Sequence, residues 1–142
     1  MSNRKSVIPI LYQKFLESRK VSTDTRVITP GSVFFALRGP NFNANEFAAE
    51  ALAKGASHAV VDDANFATDD RCLLVDDVLQ SLQQLARHHR DQLNIPVIGL
   101  TGSNGKTSSK ELVNAVLSKK YRTLATRGNL NKHIGVPLTV LS

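Results

Sequence analysis

The amino-acid sequence predicts an α/β protein built from two units, residues 1–94 and residues 95–142. The first is a small α/β domain, in which short apolar runs alternate with longer runs of helical periodicity. The second opens with an apolar run, a turn rich in glycine and an amphipathic run. That order is typical of the first strand, phosphate loop, helix and strand of a parallel-sheet domain. A hinge is expected at Asn94 to Pro96, because proline ends the preceding helix.

Periodicity and turn residues place the elements of the first unit. Apolar residues at i, i+3 and i+4 predict helices, and an alanine-rich run that stops at Gly55 predicts another. Short apolar runs bounded by Pro-Gly, Gly or Asp predict strands. The expected elements are a helix over residues 6–19, a strand over 32–37, a helix over 46–54, strands over 57–61 and 72–75, and a helix over 78–93.

Acidic and histidine pairs in the first unit could bind a metal, but their positions favour structural roles. Each acidic pair adjoins a strand end and is interpreted as a cap, with Asp76 or Asp77 starting the next helix. His88 and His89 are adjacent, so they cannot share one helix face as a metal pair would, and we expect both at the surface. Cys72, in an apolar stretch, is expected to serve packing.

Residues 95–117 carry the chemistry of a phosphate site. Backbone N–H groups between Gly102 and Gly105 can point at phosphate oxygens, and the following helix adds its positive dipole end. Lys106 would reach the outer phosphates, and the Thr107 hydroxyl can ligate a phosphate-bound magnesium ion. The structural alternative is a glycine turn that only lets a strand pack against a helix.

The chain then returns to the same edge of the predicted sheet. Residues 122–125 are expected to form a strand parallel to the first. Residues 126–137 leave its carboxyl end, where open α/β sheets place ligand contacts. Asn129 and Asn131 are therefore candidates for phosphate or acyl-group contacts, against the alternative of a glycine-led turn.

Another candidate is the amide-rich loop from Asn41 to Asn45. Its side chains can donate and accept hydrogen bonds, which suits recognition of a polar heterocycle or a sugar. The alternative is turn chemistry, because asparagine tolerates left-handed backbone conformations.

The excess of positive over negative charge is confined to the last third of the chain. Residues 1–93 carry 11 Lys or Arg and 11 Asp or Glu, whereas residues 94–142 carry 7 and 1. An anionic ligand is the simplest interpretation, and a nucleic-acid surface is the alternative. Tyr121 is the single aromatic residue of that segment, so no stacking platform accompanies the charge, which argues against nucleic acid.

The chain lacks the apolar run of roughly 20 residues that a membrane helix requires. Its first residues also lack the core and cleavage site of a signal peptide. A cytoplasmic protein without a membrane span is therefore expected.

Three motifs in this order resemble one known family. They are TDTRVITPGSVFFALRGPNFNANEFAAEALAKGA from residue 23, TGSNGKTSSKEL from residue 101 and TRGNLNKHIGVPLTVL from residue 126. Together they resemble the cytoplasmic Mur ligases, and most closely those that join D-alanyl-D-alanine to UDP-N-acetylmuramoyl-tripeptide (MurF type).

The resemblance implies a reaction of peptidoglycan precursor synthesis. ATP would phosphorylate the terminal carboxylate of the tripeptide, and the amine of D-alanyl-D-alanine would attack the acyl phosphate. It also implies that residues 1–94 hold the UDP-sugar-peptide and that residue 95 begins the central ATP-binding domain. A monomer that does not bind nucleic acid is expected.

The resemblance also implies roles for individual residues. Lys106 and Asn129 would act at the reacting phosphate, and Thr107 would hold magnesium. The ATP phosphates would lie against Gly102, Ser103, Asn104, Gly105, Lys106, Thr107 and Ser108. The UDP substrate would contact Asp24, Thr25, Arg26, Asn43, Asn45 and Asn131.

Two departures from the family pattern stand out. Lys132 and His133 occupy positions where the family often has Asn and a polar or acidic residue, so the role of that loop end is open. Beyond the phosphate loop the only acidic residue is Glu111, so a strand-end carboxylate for magnesium is missing. The chain thus looks like an N-terminal fragment, which we expect to bind its ligands weakly and not to form the amide alone.

Two other classes remain possible at this point. A folylpolyglutamate synthetase-like ligase would share the central domain without needing the PGSVFFALRG segment. A non-catalytic basic module, for example for nucleic acid, would bind with strong salt dependence and without needing Lys106.

Overall fold

The computed structural model describes residues 7–99, 105–126 and 134–142, and it confirms the predicted α/β class with a parallel sheet. Two 3₁₀ turns, Ala44–Phe47 and Ala64–Phe66, join longer elements. In chain order, those elements are α1 (Ile8–Ser18), β1 (Val21–Ser22), β2 (Val33–Phe35), β3 (Arg38–Gly39), β4 (Phe42–Asn43), α2 (Ala48–Ala53), β5 (His58–Val61), β6 (Cys72–Leu74), α3 (Val78–Gln92), α4 (Lys106–Leu117) and α5 (Gly135–Val140).

A parallel sheet of four strands, in the order β1-β2-β5-β6, organises the first unit. In β2, Val33 pairs with Val21 of β1, and Phe34 pairs with Ala59 of β5. All three residues of β2 are buried, as expected for a strand covered on both faces. The short antiparallel hairpin β3–β4 projects beyond the end of β2.

Alternation along β2 divides the core into two layers. Val33 and Phe35 face a cluster formed with α1, α3 and α5. Phe34, which points the opposite way, packs with the small side chains of the 3₁₀ turn at residues 44–47 and of α2. The alanine-rich composition of α2 therefore has a packing reason, because alanines let the helix approach the phenylalanine ring closely.

The predicted helices over residues 6–19 and 78–93 are confirmed as α1 and α3. Asp77 caps α3 by accepting a hydrogen bond from the Gln80 N–H at 2.9 Å, as expected for one of the acidic pair. Asp63 likewise caps the turn at residues 64–66 through the Asn65 N–H. Helix α1 ends at Arg19, whose left-handed φ of 54° stops the helix.

Two expected strands of the second unit do not form. Residues 95–99 and 122–125 have no strand pairing, and the side chains of Ile98 and Leu124 are 61% and 67% exposed. Apolar content alone predicted these strands. A strand also requires a neighbouring backbone to satisfy its N–H and C=O groups, and neither segment pairs with one here.

Helix α5 was not predicted, and it joins the core of the first unit. Leu141, just beyond α5, is buried in the cluster that also holds Leu82 and Leu85 of α3. The last nine residues therefore pack against the first unit, although they belong to the second unit in sequence. The division into domains at residue 94 stays a prediction.

The expected surface position of His88 and His89 is wrong. Both are half-buried, and the Tyr12 hydroxyl lies 3.1 Å from His89 Nδ1. The ring of Phe15 meets the His89 ring edge to face at 5.1 Å between centroids. The His88 ring also reaches α1, where it meets the Tyr12 ring edge to face at 4.5 Å between centroids.

This histidine makes stability depend on pH. Burial, and then the charge of Arg19, holds the pKa of His89 below its ordinary value of 6.5. Burial, and then Lys14, lowers the pKa of His58 in the same way. Below pH 6.5 the unfolded chain therefore binds more protons than the folded one, so the free energy of unfolding falls as the pH drops from neutral.

Urea unfolding between about pH 5 and 8 measures this dependence. We expect His89→Gln to reduce the slope of unfolding free energy against pH. The remaining slope is due to His58 and, toward pH 5, to carboxyl groups such as those of Glu50 and Asp62, whose pKa values are also lowered. A slope identical to that of the unsubstituted chain would contradict the assignment.

None of the described helices is both long and apolar enough to cross a membrane.

Candidate functional site

Polar residues gather at the carboxyl edge of the parallel sheet. Asp24 follows β1, Arg38 follows β2 and Asp62 follows β5. Since parallel strands all end at the same edge, the chain brings these residues to one side of the sheet, which is where ligands bind open α/β sheets. This edge is the candidate substrate site.

Asp24 and Arg26 form a tight local pair. The Arg26 guanidinium donates to both carboxylate oxygens, with Nη2 2.7 Å from Oδ2, and the Arg26 N–H donates to Oδ1 at 2.9 Å. These hydrogen bonds lower the pKa of Asp24 to about 2. The Arg26 side chain is 86% exposed, so its positive charge faces solvent.

The loop around Thr25 is held from two sides. The buried Ser22 hydroxyl donates to the carbonyl oxygens of Asp24 and Val27, each at 3.1 Å. Lys54, at the end of α2, donates to the Thr25 carbonyl at 2.9 Å. The predicted contact residues 24–26 therefore lie on an ordered loop, and their role toward a ligand stays a prediction.

Asn45 is completely buried, and its amide is used inside the protein. Its Nδ2 donates to Asn43 Oδ1 at 2.7 Å and to Asp62 Oδ1 at 2.8 Å, while its Oδ1 accepts the Asp62 N–H at 3.0 Å. Asn43 also accepts the Asn45 N–H and so caps the 3₁₀ turn. The loop does form a turn, but by side-chain capping and not by left-handed asparagines, since Arg19 is the only non-glycine residue with positive φ in the described part of the chain. Contact of either amide with a substrate stays a prediction.

The Asp62 carboxylate accepts hydrogen bonds from three different segments of the chain. Besides the amide of Asn45, its carboxylate accepts Arg38 Nε at 2.8 Å and the Val78 N–H at the start of α3 at 3.3 Å. Burial opposes the charged form, but these hydrogen bonds, chiefly those from Asn45 and Arg38, hold the pKa of Asp62 below its ordinary value. A single carboxylate thus joins the ends of β2 and β5 to the start of α3.

The candidate phosphate site lies at the start of α4. Gly105 has a φ of 75°, a left-handed conformation that suits glycine, and an added Cβ there would meet nothing within 4 Å. Among the described residues, the N-cap position is Gly105, which has no side chain to cap the helix, and the first turn contains no acidic residue. The first N–H groups of α4 are therefore not bonded to a capping side chain, which leaves them suited to bind an anion.

Lys106 is the first residue of α4 and is half-buried. One turn later on the same helix face, the Lys110 ammonium donates to the Thr126 carbonyl at 2.5 Å and pairs with Glu111 at 3.1 Å. This bond joins the phosphate-loop helix to the start of the predicted ligand-binding segment, residues 126–137. Ser108 is exposed on the first turn.

A cavity of about 440 Å³ lies beside Lys106 and Lys110. Its mainly apolar walls come from α4, α5 and residues 95–99 and 123–126. The two lysines therefore lie where the apolar cavity meets the first two turns of α4.

Several predicted site residues lie outside the described part of the chain. They are Gly102, Ser103, Asn104, Asn129, Asn131 and the side chain of Thr107. Within residues 7–99, 105–126 and 134–142, no three His, Cys, Asp or Glu side chains come together as a metal site. The magnesium role of Thr107 stays a prediction.

Three residues of these sites were missed by the sequence analysis. The sequence analysis singled out neither Arg38 nor Lys110, and it interpreted the acidic pair that contains Asp62 only as a cap. The position of Arg38 and Asp62 after apolar strands was an available signal. The contact between these two side chains, which are 24 residues apart in sequence, could not be predicted from the sequence.

Comparison with known proteins gives consistent results. Residues 100–142 match the model of the Mur ligase middle domain. The UDP-N-acetylmuramoyl-tripeptide--D-alanyl-D-alanine ligase of Bacillus subtilis (strain 168) is 43% identical over 124 residues, or 86% of this chain. The ligase of the same name from Escherichia coli (strain K12) is 46% identical over 121 residues, or 85% of the chain.

Solved structures of MurF ligases are also similar to this chain. MurF from Acinetobacter baumannii matches 86% of the chain at 40% identity with a TM-score of 0.77. MurF ligase from Thermotoga maritima, crystallised in complex with ADP, matches 89% at 33% identity with a TM-score of 0.79. This chain spans 26% to 29% of the length of these four relatives. On these sequence and structural similarities, the chain belongs to the Mur ligase family.

Proposed function

We propose that this chain contributes the substrate site and the ATP phosphate site of an ATP-dependent ligase of peptidoglycan precursor synthesis. The ligase joins D-alanyl-D-alanine to UDP-N-acetylmuramoyl-tripeptide. The observation that carries the proposal is that the similarity to ligases of this name extends over both units. It covers about six-sevenths of the chain, so it includes the sheet of residues 1–94 as well as the phosphate-loop helix. A relationship through the central domain alone, as expected for a folylpolyglutamate synthetase-like ligase, would not extend over the sheet.

The residues at the start of α4 fit the phosphates of ATP. The first turn of the helix offers N–H groups without a side-chain cap, and Gly105 leaves open space beside them. Lys106 adds a positive charge at the same place, and Lys119, Lys120 and Arg122 keep the surrounding segment basic. A solved relative that carries ADP supports the nucleotide assignment.

ATP supplies the phosphoryl group that converts the tripeptide carboxylate into an acyl phosphate, which the amine of D-alanyl-D-alanine then attacks to give the amide and phosphate. Within this chain, Lys106 and the first N–H groups of α4 would bind the phosphate oxygens and offset their charge. The Thr107 hydroxyl would hold Mg²⁺, and Asn129 would lie near the reacting phosphate. Lys110 would fix the segment that leads to Asn129, through its bond to the Thr126 carbonyl.

The sheet edge would bind the UDP end of the substrate. Arg26 offers an exposed guanidinium, and Arg38 is half-exposed with only its Nε bonded to Asp62. Both side chains carry a positive charge and lie on hydrogen-bonded backbone, so they can pair with the charged oxygens of a diphosphate. Asp24, Thr25, Asn43 and Asn45 shape that edge, and Asn131 would approach from the second unit. The proposal includes a cytoplasmic monomer that does not bind nucleic acid.

Calorimetric titration of this chain tests the proposal. We expect binding of UDP-N-acetylmuramoyl-tripeptide and none of folate under the same conditions. Addition of ATP, tripeptide and dipeptide to this chain alone should release no phosphate above background. Folate binding without UDP-substrate binding would overturn the proposal, and so would a single-stranded DNA affinity that falls steeply with salt and exceeds that for ATP.

A further inference from the structure

Two charged residues of α2 and its C-terminal end, Glu50 and Lys54, reach the loop at residues 24–26. They are one helical turn apart and form an ion pair at 2.6 Å. The Lys54 ammonium also donates to the Thr25 carbonyl at 2.9 Å. Lys54, and then a hydrogen bond from the Thr25 side chain, lowers the pKa of Glu50, although partial loss of solvent opposes both. The pair therefore holds Thr25 by its backbone and by its side chain.

The peptide group between Thr25 and Arg26 is fixed at both ends. Its carbonyl accepts a hydrogen bond from Lys54, and its N–H donates to the Asp24 carboxylate at 2.9 Å. The C=O and N–H of a planar trans peptide point in opposite directions, so the two bonds act from opposite sides. Rotation of this peptide group would break both bonds. The backbone that carries the exposed Arg26 guanidinium is thus held in one orientation.

The end of α2 also holds the far end of the same loop. The carbonyl of Gly55, next to Lys54, accepts the Gly31 N–H at 2.8 Å. Between these points, Ile28 packs against the buried cluster that contains Leu52 of α2. Helix α2 is therefore the frame on which the loop lies, and Glu50 and Lys54 contact it among the predicted substrate-contact residues.

Stability of the fold does not account for this pair. The side chains of Glu50 and Lys54 are 43% and 46% exposed. Ion pairs with this exposure contribute little to the free energy of unfolding, because water screens the charges. A loop that is already oriented, in contrast, loses less conformational entropy when it binds a ligand, so the same contacts can strengthen binding.

We propose that Glu50 and Lys54 are positioning residues of the substrate site, which fix the peptide between Thr25 and Arg26 and thereby raise the affinity for the charged nucleotide end of the substrate. This inference rests on the proposed function, because it assumes that residues 24–26 contact the UDP substrate. Neither Glu50 nor Lys54 needs to touch the substrate, and Arg26 offers the positive charge.

Calorimetric titration of the full chain with UDP-N-acetylmuramoyl-tripeptide tests the role of Lys54. We expect Lys54→Met to weaken binding about three- to tenfold, because the loop must then be ordered when the substrate binds. Lys54→Arg keeps a donor and a charge and should restore the affinity. Lys14→Met is the matched control, because Lys14 forms a similar exposed pair with Glu17 on α1 and should leave the affinity unchanged.

Glu50→Ala separates positioning from charge. The substrate is anionic, so removal of a negative charge near the loop would by itself tighten binding. We expect the opposite, a loss of about two- to fivefold, because Lys54 and the Thr25 side chain each lose a partner. Urea unfolding at neutral pH should show almost the same stability for all these variants as for the unsubstituted chain.

The outcomes distinguish the positioning role from the proposed function. If Glu50→Ala binds the substrate more tightly, or if Lys54→Met binds it as well as Lys14→Met does, the positioning role is wrong while the proposed function stands. The positioning role is also wrong if Lys54→Met lowers stability and Lys54→Arg does not restore the affinity. If the unsubstituted chain does not bind the substrate, both are overturned.

Discussion

Replacement of Lys106 by alanine is expected to weaken ATP binding about ten- to hundredfold, the effect of losing one charge-assisted contact worth about 1.5–3 kcal/mol. Lys106 opens α4 beside Gly105, so its ammonium and the helix N–H groups would act on the same phosphates. Calorimetric titration with ATP measures the loss. Adenosine, which lacks phosphates, should bind both forms of the chain equally.

Lys119→Ala is the control for overall charge. Lys119 follows the other end of α4 and is exposed, so its loss removes one positive charge without touching the start of the helix. If Lys106→Ala and Lys119→Ala weaken ATP binding equally, the effect is a general attraction of the basic segment, and the phosphate site at α4 is wrong.

Replacement of Asn45 by alanine is expected to lower the free energy of unfolding by about 3 kcal/mol, because three buried hydrogen bonds disappear. The Asp62 N–H loses its acceptor, and the Asp62 carboxylate loses one of its donors. Unsatisfied buried groups of this kind cost more than the bonds contribute. Urea unfolding at neutral pH measures the change.

Asn65→Ala serves as the control. Asn65 is exposed, and its hydrogen bond to Asp63 uses the backbone N–H, which alanine keeps. This variant should stay within about 0.5 kcal/mol of the unsubstituted chain. Equal stabilities for the two variants would show that the Asn45 network does not hold the sheet edge together.

The first unit was largely predictable because its elements follow local rules. The apolar spacing of α1 and α3, the cap at Asp77 and the glycine after α2 each depend on residues within a few positions. Strand β1 was missed because two residues, Val21 and Ser22, show no periodicity. The hairpin β3–β4 was not predicted, because each of its strands has two residues and Gly39-Pro40 is a turn signal.

The second unit and the sites were less predictable, because they depend on partners distant in sequence. Ile95 to Gly99 have the composition of a strand, but pairing decides whether a strand forms, and composition does not reveal it. The side-chain amides of Asn41, Asn43 and Asn45 could form hydrogen bonds to a ligand or within a turn, and the sequence does not distinguish the two. Only the burial of Asn45 and the hydrogen bonds of Asn43 and Asn45 show that two of these amides are used internally.

The most direct test of the account maps both ligands on one sample by the amide chemical shifts of the isotope-labelled chain. We predict that ATP shifts the amides of Gly105 to Ser109, and that UDP-N-acetylmuramoyl-tripeptide shifts those of residues 24–26 and 38–43. Lys106→Ala should require a higher ATP concentration to produce the first set of shifts and should leave the second set unchanged. Shifts from both ligands at one shared set of residues, or none with either ligand, would contradict an ATP site on α4 that is separate from a substrate site at the sheet edge.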